Sequence, residues 1–303
     1  MKIAAIDLGT NTFHLIIAET VGNEMNIIYK TNKPIKLGED ITLANQIIPA
    51  AFERGIDCLK EFKATLDKYD VAKIRAVATS GVRSASNGQE FIDTAKQETG
   101  IAIEVIDGDE EAKLIYEGVK CSGAIKGKSL IMDIGGGSTE FIFCDEEGFY
   151  WKKSFDIGAA RLMQKFFKSD PINETDQQQI NIHLQETLTE LIGFGSSFNA
   201  EILIGSAGAF ETYSAMINPS IDLKDVANAP IDIASYHHLS KRLINATHEE
   251  RVAMPNLIPL RVDMIVMASI ITNYVLAALH LKKITLSTYD LKMGVLQSLR
   301  QRN

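Results

Sequence analysis

The chain has 303 residues, enough for two domains at ~150 residues each. Its 46% apolar and 23% charged residues exclude a disordered chain, a collagen and a disulfide-stapled miniprotein. Thirty-one basic against thirty-nine acidic residues leave a net charge of −8. The positive field of a non-specific nucleic-acid binder is therefore absent, and an anion must be met by a local cluster of cations and backbone N–H groups.

Cys58, Cys121 and Cys144 show no metal-ligand spacing, so neither a disulfide framework nor a structural zinc site is expected. Asp7 interrupts what would be the apolar core of a signal peptide. The most apolar stretch, 264–279, carries Ser269, Thr272 and Asn273 and is shorter than the ~20 residues of a bilayer span. It reads as a buried helix. A cytoplasmic protein that engages neither nucleic acid nor membrane is the expectation.

Residues 3–17 read as strand, tight turn, strand, and 25–36 as a third extended segment. A helix is predicted around 47–66, a buried strand at 74–79, a helix at 88–98, an extended run at 101–106 and a helix at 109–120. The second half opens on another strand-turn-strand at 130–143, followed by an extended run at 149–155. Helices at 159–168 and 174–194, a strand at 201–204, helices at 233–244 and 262–280, a strand at 284–287 and a last helix from 291 complete it. Strands alternating with helices give an α/β class with mixed sheets. The small, polar and basic run 122–128 marks the seam, with domains at 1–123 and 124–303.

The two strand-turn-strand units repeat each other. Offset by 126, Asp7 falls on Asp133, Gly9 on Gly135, Thr12 on Ser138 and His14 on Glu140. Turns built from Gly9, Thr10, Asn11 and Thr12, and from Gly135, Gly136, Gly137 and Ser138, present N–H groups and hydroxyls to phosphate oxygens, and the glycines permit close approach. Asp7 and Asp133 would repel phosphate directly but suit hydrated Mg²⁺. Asp107, Asp109, Glu110 and Glu111 place four acids in five positions at a helix start. Such acids suit the helix dipole, with Asp109 as a candidate N-cap, and one of them can polarise a water; periodicity does not single it out. Arg83, in a Gly-, Ser- and Asn-rich loop after a strand, has the fork geometry that grips phosphate.

At these residues the chain resembles the exopolyphosphatase and guanosine pentaphosphate phosphohydrolase family, within the superfamily of acetate and sugar kinases, Hsp70 and actin. The likeness lies in 4–19, 78–87, 103–119 and 130–141, and more weakly in 261–265 and 286–296. It implies two ribonuclease-H-like, actin-like ATPase domains, each a mixed sheet flanked by helices, with an active-site cleft between them, in a short form of the family. It also implies Glu111 as the catalytic base, Asp133 and Glu140 at a divalent cation such as Mg²⁺, Arg83 on the phosphate chain, and the two turns as phosphate loops. The implied activity is release of terminal orthophosphate from inorganic polyphosphate, with guanosine pentaphosphate hydrolysis as the rival. A non-catalytic sensor of either compound is a third reading. A homodimer fits the family. The chain departs from the family pattern at 204–210, where Phe210 adds bulk, and at 287–294.

Overall fold

Strand β1 (Lys2–Leu8) lies at the centre of a sheet, so both of its faces are apolar. In this computed structural model, which describes all residues except 23, 40–44, 207 and 302–303, β1 pairs antiparallel with β2 (Thr12–Val21). Strand β2 in turn pairs antiparallel with β3 (Glu24–Pro34). On its other edge β1 runs parallel to β4 (Lys73–Ala78), and β4 to β5 (Ile103–Val105). The order is β3-β2-β1-β4-β5.

One face of this sheet, with Ala4, Ile6, Leu8, Phe13, Leu15 and Ile17, packs in a core with α1 (Pro49–Lys68) and α3 (Gly88–Thr99). Between β4 and α3 lies a one-turn helix, α2 (Ser80–Arg83), in a stretch that composition alone marks as loop. Helix α4 (Gly108–Ser122) follows β5.

The second sheet repeats the arrangement. Strand β6 (Ser129–Ile134) pairs antiparallel with β7 (Thr139–Cys144), and β7 with β8 (Phe149–Phe155). Strands β9 (Ile202–Ser206) and β11 (Lys283–Ser287) extend it in parallel, and β10 (Asn228–Ile231) closes the edge antiparallel to β11. The helices are α5 (Ala159–Phe166), α6 (Glu174–Thr187), α7 (Thr189–Phe198), α8 (Gly208–Ile217), α9 (Ile233–Asn245), α10 (His248–Val252), α11 (Met264–Ala278) and α12 (Leu291–Gln301). The single helix expected over 174–194 is two, divided at Leu188. Ten of the fifteen residues of α11 are buried, which makes it the central core helix of its unit. Among the described residues no helix is long and apolar enough to cross a membrane.

The expected class, two mixed sheets flanked by helices, is present. The chain divides into two compact units, Met1–Gly118 with Leu291–Asn303, and Val119–Asp290. The division thus falls inside α4, ahead of the expected seam. The last helix, expected with the second domain, belongs to the first unit, where α12 packs on β1, β2 and β4. Gly294 also brings α12 close to α4: a Cβ there would stand 1.8 Å from the carbonyl oxygen of Leu114.

In the second unit the bulk of Phe210 is core. The ring is fully buried, edge-to-face with Tyr213, and lies flat against Gly205. A Cβ on Gly205 would sit 1.9 Å from the Phe210 ring. Gly205→Ala is expected to destabilise the protein by roughly 1–3 kcal/mol through overpacking, read from the denaturant midpoint.

Fully buried Arg251 ties α10 to two loops. It donates to the carbonyls of Ala246 and Val262 and to the carboxylates of Asp170 (2.8 Å) and Asp263 (3.3 Å). His248 Nδ1 meets Asp263 at 2.7 Å, and this hydrogen bond, opposed by nearby Arg251 and aided by Asp170, raises the histidine above its ordinary pKa of 6.5. A raised folded-state pKa stabilises fully below the unfolded value and is lost as pH rises through the folded one. The melting temperature of His248→Gln should therefore fall below that of the parent at pH 5.5, and the gap should close by pH 9.

Candidate functional site

Each unit carries its own half of the predicted residues, and the hairpins that hold them are built alike. In the first, Asp7 faces His14 across the ladder; in the second, Asp133 faces Glu140 in the same register. Gly9 N–H donates to the Thr12 carbonyl at 3.2 Å, and Gly135 N–H to the Ser138 carbonyl at 3.0 Å. The turns are then bracketed from behind by equivalent bonds. The Asn11 carbonyl accepts from the N–H groups of Ile35 and Lys36, and Thr10 from Gly38. In the second unit, Gly137 accepts from Gly158, Gly136 from Arg161 and Gly135 from Ala159.

The peptide plane gives these bonds a consequence. A carbonyl and the N–H that follows it point in opposite directions. With the carbonyls of Gly135, Gly136 and Gly137 turned to the start of α5, the N–H groups of Gly136, Gly137 and Ser138 turn away from it. Three neighbouring N–H groups turned away from the helix form a concavity suited to an anion. The same reasoning turns the N–H groups of Asn11 and Thr12 away from 35–38. Helix α5 benefits too: its N-cap, Gly158, has no side chain to offer, and the loop carbonyls satisfy the first-turn N–H groups that a helix leaves open. A Cβ on Gly158 would lie 2.4 Å from the Gly136 carbonyl. Gly158→Ala should displace the second turn and raise the dissociation constant for inorganic polyphosphate at least about tenfold, measured by calorimetry.

In the first unit the structure sorts the acids that periodicity left open. Asp107, not Asp109, caps α4: its carboxylate accepts from Glu110 N–H at 2.8 Å. Asp109 is exposed at the surface. Glu110 turns to Arg75 (3.5 Å) and to exposed Lys113 (3.6 Å), so Lys113 is a surface partner of Glu110. Glu111 is 6% exposed and takes a 3.0 Å bond from Arg83 Nη1, which also donates to the Ile106 carbonyl at 2.8 Å.

Two arginines, Arg75 on β4 and Arg83 at the end of α2, show contrasting use. Arg75 is almost wholly buried and all three guanidinium nitrogens are engaged, with Glu104, Glu110 and Ser298. Arg83 is about a quarter exposed, and among the described residues only its Nη1 has a protein partner. The donors of Nε and Nη2 remain for a ligand. Gly81 brings the Arg83 turn onto the first loop, since a Cβ there would be 2.9 Å from Thr10 Cα. The first unit thus gathers Gly9, Thr10, Asn11, Thr12, Arg83 and Glu111.

The second unit gathers Gly135, Gly136, Gly137, Ser138, Asp133 and Glu140. Asp133 accepts from Ser206 Oγ at 2.7 Å, and buried Glu140 from Ser154 Oγ at 2.6 Å. Two carboxylates directly opposite on one sheet face repel each other, and a hard cation that takes one or two carboxylates and completes its shell with water suits that pair. Among the described residues no group of three or more His, Cys, Asp or Glu is placed to hold a metal, so a cation at Asp133 and Glu140 would have to complete its shell with water or ligand oxygens. Ala207, within the altered 204–210 turn, lies outside the described residues. Sequence reasoning missed Arg161, whose Nε donates to the Gly137 carbonyl at 2.9 Å; its only sequence signal is an Arg at the start of a short helix.

Residues 16–303 match the Ppx/GppA phosphatase family. An exopolyphosphatase from Cytophaga hutchinsonii is 37% identical, with a TM-score of 0.96 over 100% of this chain and 98% of that one. A Haemophilus influenzae protein provisionally named an exopolyphosphatase is 29% identical over 99% of this chain and 92% of its own length. A guanosine-5'-triphosphate,3'-diphosphate pyrophosphatase of Vibrio campbellii is 30% identical over 84% of this chain, which spans only 50% of that relative.

Proposed function

Because the chain belongs to the Ppx/GppA phosphatase family, we propose that it releases terminal orthophosphate from inorganic polyphosphate by attack of a water that Glu111 deprotonates. The observation that carries this reading is the pairing of buried Glu111 with a guanidinium whose Nε and Nη2 have no protein partner among the described residues. A general base needs a fixed position within reach of the proton it takes, and the bond from Arg83 fixes that of Glu111.

The chain's own residues do the rest by position and charge, which is where most phosphoryl-transfer catalysis resides. Arg83 Nε and Nη2 take oxygens of the phosphoryl group under attack, while Nη1 holds the base. Thr10, Asn11 and Thr12 in one unit, and Gly136, Gly137 and Ser138 in the other, offer N–H groups and hydroxyls to phosphate oxygens. Asp133 and Glu140 would hold Mg²⁺, and a bound divalent cation neutralises phosphate charge and the charge developing on the leaving group. The names of the relatives leave guanosine pentaphosphate as the second substrate to assay.

Glu111→Ala should cut phosphate release from long-chain polyphosphate by about 10²–10⁴-fold, with polyphosphate binding and melting temperature near those of the parent. Release measured with Mg²⁺ for both proteins, and for both substrates, checks it. Full activity in a clean Glu111→Ala preparation would remove the base from Glu111, and the ratio of rates on the two substrates names the preferred one.

A further inference from the structure

The two phosphate loops share a backbone bracket, and the second adds a side-chain bond to a loop carbonyl. Arg161 donates twice to it: its backbone N–H to Gly136 at 3.0 Å and its Nε to Gly137 at 2.9 Å. The remaining donor to the Gly137 carbonyl is Gly158 N–H, at a longer 3.2 Å.

The peptide between Gly137 and Ser138 has a glycine on its amino side, and Gly137 lacks the Cβ that would confine its ψ, so a second bond to its carbonyl helps to fix the orientation of that peptide. Rotation would present a carbonyl oxygen where the Ser138 N–H should be, and an anion would meet a partial negative charge. A bond from a cationic donor is stronger than one between neutral groups. The guanidinium bonds a carbonyl that points away from the N–H cradle, so Arg161 stands behind the loop. Its nearest acid, Asp156, is highly exposed and 3.7 Å away, a pairing that water screens.

We propose that Arg161 is a positioning residue for phosphate binding: by fixing the Gly137 carbonyl it holds the Ser138 N–H toward a phosphate oxygen. The proposal rests on the phosphohydrolase reading above. It separates geometry from charge, because lysine keeps the charge but has no Nε in a planar fork.

The test compares the parent, Arg161→Met and Arg161→Lys as full-length chains. Binding of long-chain polyphosphate is measured by calorimetry in the Glu111→Ala background, and hydrolysis with Mg²⁺ in the otherwise native chain. Arg161→Met should weaken binding at least about tenfold, and Arg161→Lys nearly as much. The loss should appear in KM, with kcat within about threefold at saturation, as for binding that is uniform between ground and transition state. The Mg²⁺ activation curve should stay in place, and the melting temperature should move by a few degrees at most.

Parent-like binding in both variants overturns the proposal, and so does restoration by lysine, which would leave charge as the whole effect. A collapse of the melting temperature in both would assign Arg161 to the fold instead. If Arg161→Met alone fails to fold, Arg161→Lys decides. A parent that neither binds nor hydrolyses polyphosphate sinks the functional reading itself; a binding parent with unaffected variants sinks only the role of Arg161.

Discussion

The planarity of the peptide bond couples the back of each hairpin turn, 9–12 and 135–138, to its front. Wherever the chain secures a loop carbonyl from behind, it also sets the direction of the next N–H. In the second unit the start of α5 takes three successive carbonyls, and in the first the segment after β3 takes two. The helix gains its missing cap and the loop gains its orientation from the same bonds. This is why Gly158 matters although it is no ligand: any side chain there would strike the Gly136 carbonyl and part loop from helix.

Electrostatics in the first unit follows from the same economy of donors. Adjacent glutamates on α4 part company, Glu110 toward Arg75 and Lys113, Glu111 toward Arg83. Arg75 has an engagement for every nitrogen, reaching β5, α4 and α12 at once, and serves the architecture. Among the described residues Arg83 meets only Glu111 and the Ile106 carbonyl. The two arginines thus differ in the donors each leaves open, more than in charge.

Much of this was legible in the residues. The 126-residue repeat of Asp-apolar-Gly predicted two hairpins, and their registers match residue for residue at Asp7 and His14, Asp133 and Glu140. The apolar runs of β1 and β6 announced central strands because both faces are covered. The acids at 107–111 could not be sorted from periodicity, since their partners Arg75 and Arg83 come from strands and turns distant in sequence. Asp107 displaced Asp109 as the cap because the helix begins one residue earlier than its pattern suggests. Phe210 read as an intrusion on a loop, whereas helix α8 turns it into the core, where Gly205 leaves room for its ring. Arg161 carried no signal, because its role depends on a carbonyl in a turn 24 residues upstream.

The placement of α12 bears on how the chain is made. The second unit, Val119–Asp290, is contiguous, and all of its residues are joined to the chain before those of α12. The first unit is not: one face of β1, β2 and β4 awaits α12, with Val295 and Leu296 fully buried and Gly294 against α4. The strands β1, β2 and β4 are thus made well before the helix that completes their cover, and until it docks the sheet face with Ile3, Ala5 and Ile16 lacks part of its packing.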